Sequence, residues 1–273
     1  MKERKPIEHR FKDKVAIVTG GSAGIGLATV KELCKEGAAV AFTGIEEDLG
    51  VAVEKELANG GFEVLFCHGD MADEQFCKSV VKRTLTRWGR VNFLVNNAFS
   101  FVAKALDAGR NDWERTFQVG PIAYATMAQS VAGSMKNQGG GAIVNLSSVS
   151  AHIAQPNRWT YNSSKGAVHT LTKCMALDLA PFGIRVNSVS PGWIWTREVD
   201  KAAGGDRAKW EPIWGQFHML ERCGEPVECA GPILFLLSDD ASFITAADLP
   251  IDGGYQGMGG EGLGKASQFA GSD

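Results

Sequence analysis

The sequence predicts an α/β fold in which a doubly wound, parallel seven-stranded sheet carries helices on both faces. Short β-branched runs alternate with longer amphipathic segments as far as about residue 252. Repeated strand–helix units of this length require parallel strands, because each crossover must be right-handed. The first run, VAIVT at residues 15–19, is continuous and apolar up to its final threonine, as expected of a strand buried on both faces.

Each element follows from its local pattern. Glycines at residues 20–24 interrupt the first strand, and residues 25–36 then place Leu27, Val30 and Leu33 on one helix face. The same reasoning predicts strands at residues 15–19, 38–43, 63–67, 91–95, 142–146, 185–189 and 248–251. It predicts helices at residues 25–36, 46–58, 73–88, 112–135, 161–180 and 226–237.

No linker, repeat or low-complexity tract divides the chain, so residues 1–273 are expected to form a single domain with its core at about residues 12–254. The regular alternation stops at residues 192–224, a long stretch that contains four tryptophans. A long segment without regular structure inside a compact domain is usually a lid or a binding loop. Residues 253–273 are rich in glycine and are expected to form an irregular tail.

The composition excludes several classes of protein. The formal charge is −3, without the basic excess of a nucleic-acid-binding protein. No apolar run is long enough to span a membrane, and the charged start MKERKPIEHRFKDK does not resemble a signal peptide. The six cysteines form no CxxC pair and show no ligand spacing with histidine. We therefore expect a cytoplasmic protein with reduced cysteines, no metal site, and no membrane or nucleic-acid partner.

A glycine-rich loop, TGGSAGIG at residues 19–26, separates the first strand from the first helix. Glycines in this position let the backbone turn tightly and approach a pyrophosphate, while the helix start offers free N–H groups. The spacing GxxxGxG differs from the common GxGxxG fingerprint and from a phosphate-binding loop ending in Gly-Lys-Ser/Thr. The loop predicts dinucleotide binding; the alternative is a glycine turn without a ligand.

Asp70 and Met71 follow the third predicted strand, at the sheet edge where ligands of such folds bind. The carboxylate of Asp70 is expected to accept a hydrogen bond from an adenine amino group. Its alternative role is to cap the next helix.

Tyr161 and Lys165 are four residues apart, so they share one face of a predicted helix, and Ser148 follows the fifth strand. A free tyrosine titrates near pH ~10. A nearby ammonium group favours the phenolate, and we expect it to lower the pKa of Tyr161 enough for general acid/base catalysis. The hydroxyl of Ser148 is placed to hold the substrate oxygen during hydride transfer.

The order and spacing of these segments over residues ~12–254 resemble the short-chain dehydrogenase/reductase family, which has the Rossmann fold. The resemblance also includes NNA at residues 96–98 and Pro-Gly at residues 191–192. It implies a homotetramer in which Tyr161 is the acid/base, Lys165 also holds the nicotinamide ribose and Ser148 orients a small-molecule substrate. The cofactor-binding residues that it implies are Gly20, Ser22, Gly24, Ile25, Gly26, Asp70, Met71, Asn97, Ala98, Tyr161, Lys165, Pro191, Gly192, Ile194 and Thr196.

Two positions depart from the family pattern. Phe99 replaces the glycine of NNAG, and Gly120, followed by Pro121, stands where the family usually has an asparagine that joins a proton relay. A Gly-Pro pair within a helix frees backbone groups and allows a kink. Either the freed carbonyls hold the relay water, or the relay is impaired and turnover is slow.

The end of the second strand should select the cofactor, because an acidic residue there binds a ribose 2′-hydroxyl and a basic one binds a 2′-phosphate. Gly44, Ile45 and Ala23 occupy the positions that usually decide the choice, and none of them is charged. Glu46 and Glu47 would repel a phosphate, which favours NAD and leaves NADP as the alternative.

Aromatic residues are concentrated around the expected substrate site. Five of the seven tryptophans lie between residues 159 and 214, and indole faces suit sugars and alicyclic rings. We expect Ser148, His152 and Trp193 to bind a sugar, a polyol or a cyclic alcohol. The residues expected around them are Ser150, Asn157, Trp159, Trp195, Trp210 and Trp214. The alternative is that these tryptophans only pack on the sheet or on another subunit.

Two other functions stay open. A 3-oxoacyl thioester reductase would need a basic patch for its carrier, and Arg110, Arg115 and Arg158 make a poor one. A non-catalytic dinucleotide-binding redox sensor would not need Ser148, Tyr161 and Lys165.

Overall fold

The computed structural model describes residues 4–259 and confirms the predicted sheet. All seven strands are parallel and lie in the order β3-β2-β1-β4-β5-β6-β7. The strands are β1 (Val15–Val18), β2 (Ala39–Gly44), β3 (Val64–His68), β4 (Phe93–Asn96), β5 (Gly141–Leu146), β6 (Ile184–Pro191) and β7 (Asp248–Ile251). The crossover from β3 to β4 returns the chain to the other side of β1, which opens a crevice at the carboxyl ends of these strands.

The helices cover both faces of this sheet. They are α1 (Gly24–Lys35), α2 (Glu47–Asn59), α3 (Glu74–Trp88), α4 (Arg110–Phe117), α5 (Ala123–Asn137), α6 (Trp159–Leu179), α7 (Arg197–Ala202), α8 (Arg207–Gly215) and α9 (Pro226–Leu237). Within residues 4–259, no helix combines the length and the apolar character needed to cross a bilayer.

Two apolar clusters fill the space between the sheet and its two helix layers. Ala16 and Val18 face the cluster that includes Leu33 of α1. Ile17, between them, faces the cluster that includes Met127 of α5. Since successive strand residues point to opposite faces, burial on both faces requires every position to be apolar. This explains why the strands read as unbroken apolar runs.

The predicted helix 112–135 is divided in the structure. A π-helical turn, Gln118–Ile122, joins α4 to α5, and Gly120 inside it has a non-helical ψ of −113°. Pro121 lacks the N–H that would continue the helix. The kink that the Gly-Pro pair predicts is therefore present.

The prediction of a segment without regular structure at residues 192–224 is wrong, since α7 and α8 lie within it. The side chain of Thr196 accepts a hydrogen bond from the N–H of Val199 and caps α7. Asp206 caps α8 through the N–H of Lys209. The two helices are short and separated by Gly204 and Gly205, so helical periodicity does not reveal them.

The predicted irregular tail is described only in part. Residues 253–259 contain one 3₁₀ turn, Tyr255–Gly257. Residues 260–273 lie outside the described residues.

Candidate active site

A cleft of about 530 Å³ lies along the carboxyl ends of the strands. In a parallel sheet these ends share one edge, so residues far apart in the chain meet there. Of the predicted cofactor-binding residues, those that line the cleft are Gly20, Ser22, Gly24, Ile25, Asp70, Met71, Asn97, Ala98, Tyr161, Lys165, Pro191, Gly192, Ile194 and Thr196. Gly26 does not line it.

The glycine loop has the features that an anion site requires. Gly20 and Gly24 have left-handed φ values of +64° and +55°. A Cβ on Gly20 would lie 2.9 Å from the Cα of Ala98. No side chain caps α1 after Ala23, and its first turn contains no acidic residue. The first N–H groups of α1 and its dipole are therefore available to a pyrophosphate.

Gly26 lies behind the glycine loop and does not line the cleft. A Cβ on Gly26 would lie 2.1 Å from the carbonyl oxygen of Gly20 and 2.5 Å from Nδ2 of Asn97. That amide donates hydrogen bonds to the carbonyls of Thr19 and Gly20, at 2.9 and 3.0 Å. The absence of a side chain on Gly26 therefore lets α1 pack against the loop.

Asp70 lies in the cleft and does not cap the next helix. Asp73 has that role, since its carboxylate accepts a hydrogen bond from the N–H of Gln75. One oxygen of Asp70 accepts from Arg115 at 2.6 Å and the other from the N–H of Ala72 at 2.9 Å. Burial alone would raise the pKa of Asp70, but these hydrogen bonds lower it below its usual value.

Tyr161, Lys165 and Ser148 meet in the cleft, and all three are buried. Tyr161 and Lys165 are one turn apart on α6. Ser148 precedes the 3₁₀ turn Val149–Ala151, and its hydroxyl accepts a hydrogen bond from the N–H of Ser150 at 3.1 Å. The backbone at the end of β5 therefore fixes Ser148 beside α6.

The predicted effect of Lys165 on Tyr161 is not found in this structure. Burial raises the pKa of Tyr161 above its ordinary value, although a hydrogen bond with Ser148 and the charge of Arg158 oppose the rise. The ammonium nitrogen of Lys165 donates to the carbonyl of Leu146 at 2.8 Å and lies 5.9 Å from the centre of the Tyr161 ring. Burial also lowers the pKa of Lys165 to about 7.

The two departures from the family pattern fit each other in space. A Cβ on Gly120 would lie 3.0 Å from the ring of Phe99 and 2.8 Å from the hydroxyl of Ser164. The Phe99 ring thus lies where a side chain at position 120 would begin. Its face is 4.0 Å from the ammonium nitrogen of Lys165, and its edge meets the ring of Tyr161 with 5.1 Å between the centroids. Phe99 therefore packs against both Tyr161 and Lys165.

The predicted substrate residues separate into two groups. Trp193, Ser148 and Ser150 line the cleft, whereas His152 does not. Nε2 of His152 is 3.1 Å from Asp248 and 3.3 Å from Ser190, so the ring contacts the β6–β7 side of the structure. Expected mouth residues that are not among the lining residues are Asn157, Trp159, Trp195, Trp210 and Trp214.

The tryptophans of residues 192–224 pack mainly on one another. Trp193 stacks on Trp214 with 4.8 Å between ring centroids and an interplanar angle of 9°. Trp210 stacks on the same indole at 5.1 Å, and Trp195 lies 5.8 Å from it. Trp193 is the one member of this tryptophan cluster that lines the cleft.

Several lining residues were not singled out as site residues from the sequence. Phe101 is 59% exposed and stacks on Tyr161 at 5.7 Å. Arg158 lies 5.3 Å from the ring of Trp193. Arg197 of α7 forms a two-pronged ion pair with Glu46, whose side chain also lines the cleft. The position of Arg158 near Tyr161 could have been inferred from their spacing of three residues at the start of α6. No motif around Arg197 indicates that it lines the cleft.

Comparison with known proteins agrees with this geometry. A family model described as enoyl-(acyl carrier protein) reductase matches residues 20–256. The chain is 37% identical over 250 residues to cyclopentanol dehydrogenase of Comamonas testosteroni, an alignment that covers 90% of this chain and 98% of the relative. It is 36% identical over 251 residues to an NADP-dependent (R)-specific alcohol dehydrogenase of Lentilactobacillus kefiri, with 90% and 98% covered.

A third relative, an oxidoreductase of Thermotoga maritima described as uncharacterized, is 36% identical over 246 residues, with 89% of this chain and 96% of the relative covered. The family-model match includes Ser148, Tyr161, Lys165, the glycine loop from Gly20 onwards and strands β2 to β7. The chain is therefore an oxidoreductase of the short-chain dehydrogenase/reductase family.

Proposed function

We propose that this protein transfers a hydride between a nicotinamide cofactor, NAD, and a cyclic secondary alcohol or its ketone. The observation that carries the proposal is that Ser148 and Tyr161 face the same cleft as an anion-binding glycine loop. The relatives named for cyclopentanol and for (R)-specific alcohols support the reaction class. When bound, the nicotinamide accepts the hydride in oxidation and supplies it in reduction.

The protein's own residues move the proton and hold the substrate. In alcohol oxidation the phenolate of Tyr161 accepts the proton of the substrate hydroxyl. The hydroxyl of Ser148 holds the same oxygen by a hydrogen bond while its charge changes. Lys165, held by the Leu146 carbonyl, lies 5.9 Å from the centre of the phenol ring and supplies a positive charge there in its protonated form. In ketone reduction the Tyr161 hydroxyl returns the proton.

The walls of the cleft favour a ring over a polyol. The aromatic residues Phe99, Phe101 and Trp193 line the cleft together with Ser148 and Tyr161. Among the polar side chains at this end, Gln155 already accepts a hydrogen bond from Ser150 at 2.6 Å, and the guanidinium of Arg158 lies 6.0 and 5.3 Å from the rings of Tyr161 and Trp193. A sugar needs several free hydrogen-bonding partners, whereas a cyclic alcohol needs apolar contact and one polar anchor.

Residues 12–254 act, in this proposal, as one cofactor-binding domain in which residues 192–224 form the lid of the substrate end. Trp193, Arg197, Glu198 and Val199 all line the cleft. The lid therefore contributes both an aromatic wall at the substrate end and a charged group near the end of β2.

The positions of the arginines give little support to the alternative function, a 3-oxoacyl thioester reductase. Arg110 pairs with Glu114 outside the cleft and Arg115 pairs with Asp70 inside it. Arg158 lies apart from both, over Trp193. These three arginines do not form the common patch that a phosphorylated carrier requires.

A substrate panel distinguishes the candidates. Purified protein is given NAD with cyclopentanol, cyclohexanol, ribitol and glucose, and reduced cofactor with cyclic ketones, a 3-oxoacyl thioester and an enoyl thioester. We expect the cyclic substrates to have a kcat/KM at least about tenfold above the polyols and both thioesters, since added apolar contact is worth roughly 1–3 kcal/mol. Faster turnover of either thioester would refute the proposal, and cofactor binding without turnover of any substrate would favour the sensor.

The pH dependence of the two directions should differ. Because burial raises the pKa of Tyr161, the phenolate needed for oxidation forms only at alkaline pH, whereas the phenol needed for reduction is already present at neutral pH. The kcat/KM for alcohol oxidation should therefore rise from about pH 6 to about pH 10, and that for ketone reduction should not. Steady-state profiles in both directions test this; an oxidation rate that is flat above neutral pH would contradict it.

The preference for NAD rests on the pairing of Glu46 with Arg197. Among the described residues lining the cleft, Arg115 is paired with Asp70 and Arg197 with Glu46. No unpaired guanidinium is therefore left at the end of β2 to bind a 2′-phosphate. Glu47 does not line the cleft, and its carboxylate lies 3.8 Å from Nδ1 of His68.

Glu46→Gln should release Arg197 and shift the preference towards NADP. We expect the kcat/KM ratio of NADP to NAD to rise about tenfold or more, since a charge-assisted contact is worth roughly 1.5–3 kcal/mol. Glu47→Gln is the matched control and should change the ratio little. Adding Arg197→Met to Glu46→Gln should abolish the gain. An equal shift in Glu46→Gln and Glu47→Gln would show that general charge, and not this ion pair, sets the choice.

We further propose a cytoplasmic homotetramer. All six cysteines are free thiols in the structure, which suits a reducing compartment. Helix α9 and the short edge strand β7, with its half-exposed residues, offer surfaces suited to two-fold pairing. Sedimentation at micromolar concentration should give a species about four times the 29.2 kDa chain mass; a monomer would refute the prediction.

A further inference from the structure

Two histidines and an aspartate meet on the β7 side of α6, and none of the three lines the cleft. His152 follows the 3₁₀ turn after Ser148, His169 lies on α6 and Asp248 begins β7. One potential ligand atom from each lies within 4.8 Å of the others. Nε2 of His152 is 3.1 Å from Oδ2 of Asp248, and Nδ1 of His169 is 3.9 Å from Oδ1. Two ligands of a tetrahedral ion lie about 3.4 Å apart, since each is about 2 Å from the ion, and the distances of 3.1 and 3.9 Å lie on either side of this value.

The carboxylate is held in place by the sheet. The side chain of Asp248 is 9% exposed. Its Oδ1 accepts hydrogen bonds from the hydroxyls of Ser188 at 2.5 Å and Ser190 at 3.0 Å, both on the neighbouring strand β6. Outer hydrogen bonds of this kind fix the orientation of ligating carboxylates in metal sites.

One buried nitrogen in this group has no partner. Nδ1 of His169 is inaccessible to solvent and makes no hydrogen bond to any described residue. A buried polar atom without a partner costs free energy, so native structures seldom leave one. The edge of the His169 ring meets the His152 ring, with 4.7 Å between the centroids.

We propose that His152, His169 and Asp248 bind one divalent transition-metal ion of the zinc type, a site distinct from the hydride-transfer cleft. Two imidazole nitrogens and one carboxylate form a ligand set that such ions prefer over magnesium or calcium, with water completing the shell. A bound ion would provide a partner for Nδ1 of His169, the buried nitrogen that makes no hydrogen bond to the described residues. This differs from the expectation of no metal site, which rested on ligand spacing along the chain; here the ligands come from three separate elements.

The position of the site suggests a structural role. His152 lies four residues after Ser148, and His169 lies one turn after Lys165 on α6. A bound ion would connect the turn after Ser148, helix α6 and strand β7. It would therefore stabilise the part of the fold that carries the catalytic side chains without contacting the cleft.

Zinc binding to the full-length, untagged protein tests the proposal. Every variant carries Cys174→Ser, because Cys174 is an exposed thiol that could bind zinc by itself. Metal-free protein competes for Zn²⁺ with a chromophoric chelator, and Co²⁺ absorption reports the coordination geometry. We expect one zinc ion per chain and a rise in melting temperature with zinc, but no rise with magnesium.

His169→Phe keeps a ring against His152 and removes the ligand nitrogen, so it should weaken zinc binding by at least about 100-fold. His68→Phe is the matched control, because His68 is a half-exposed histidine at the end of β3, and it should bind zinc like the parent. Ser190→Ala removes a hydrogen bond to the carboxylate and should weaken binding about 10–100-fold.

The outcomes are distinct. A parent without saturable zinc binding, or a His169→Phe variant that binds zinc as the His68→Phe variant does, would overturn the site. If circular dichroism shows that the His169→Phe variant does not fold, His152→Phe replaces it with the same expectation. Since metal binding is measured without cofactor or substrate, failure here leaves the proposed reaction untouched.

Discussion

Replacing Tyr161 with phenylalanine is expected to lower kcat by about 10²–10⁴-fold, the usual contribution of a positioned acid/base group. The change removes only the phenol oxygen. The ring still packs against Phe99 and Phe101, which lie 5.1 and 5.7 Å from it. The affinity for NAD, measured by calorimetry, should stay within about threefold of the parent value, since only one contact is lost.

Tyr255→Phe provides the matched control. Tyr255 lies in the last 3₁₀ turn against Phe217 and His218, away from the cleft, and is the third of the chain's three tyrosines. Its loss should leave kcat unchanged. A Tyr161→Phe variant that keeps more than about 10% of the parent kcat would refute the acid/base role.

Gly26→Ala should cause the second large loss, and it should affect stability and cofactor binding together. The added methyl group would lie 2.1 Å from a backbone carbonyl of the glycine loop. Backbone atoms cannot move aside as the end of a flexible side chain can. Helix α1 must therefore move away from the loop. Overpacking of this kind costs roughly 1–3 kcal/mol or more. We expect a lower melting temperature and an affinity for NAD weakened by at least about tenfold.

Gly133→Ala is the control for helix glycines in general. Nothing lies within 4 Å of a Cβ built on Gly133, which is exposed on α5. There the substitution should stabilise the helix by roughly 0.5–1 kcal/mol. A Gly26→Ala variant with parental melting temperature and affinity would show that the loop does not depend on the close approach of α1.

The sequence predicts the sheet and most of the cleft because their signals are local. The bounds of all seven strands lie within two residues of the predicted ones, and α9 and β7 match their predictions. Apolar runs buried on both faces leave little choice of strand position. The glycine loop and the Tyr161–Lys165 pair are likewise recognisable from short segments, and the parallel topology then brings them to one edge.

Side-chain pairings between distant segments could not be predicted in this way. Glu46 and Arg197 are separated by 151 positions, and their ion pair depends on how α7 lies over the end of β2. The fit of the Phe99 ring beside Gly120 depends on a π-helical turn that periodicity does not reveal. The sequence predicts that His152 binds the substrate, but the 3₁₀ turn after Ser148 brings its ring to Asp248 instead.

The stacked tryptophans of residues 192–224 also allow ligand binding to be followed by intrinsic fluorescence. Four of the seven tryptophans are in this segment. Indoles 4.8 and 5.1 Å apart exchange excitation energy in both directions, so Trp193, Trp210 and Trp214 emit as a group. Trp193 is also the indole that borders the cleft. We therefore expect a ligand that contacts Trp193 to alter the fluorescence of this group, without any attached dye, above the emission of the three tryptophans elsewhere in the chain.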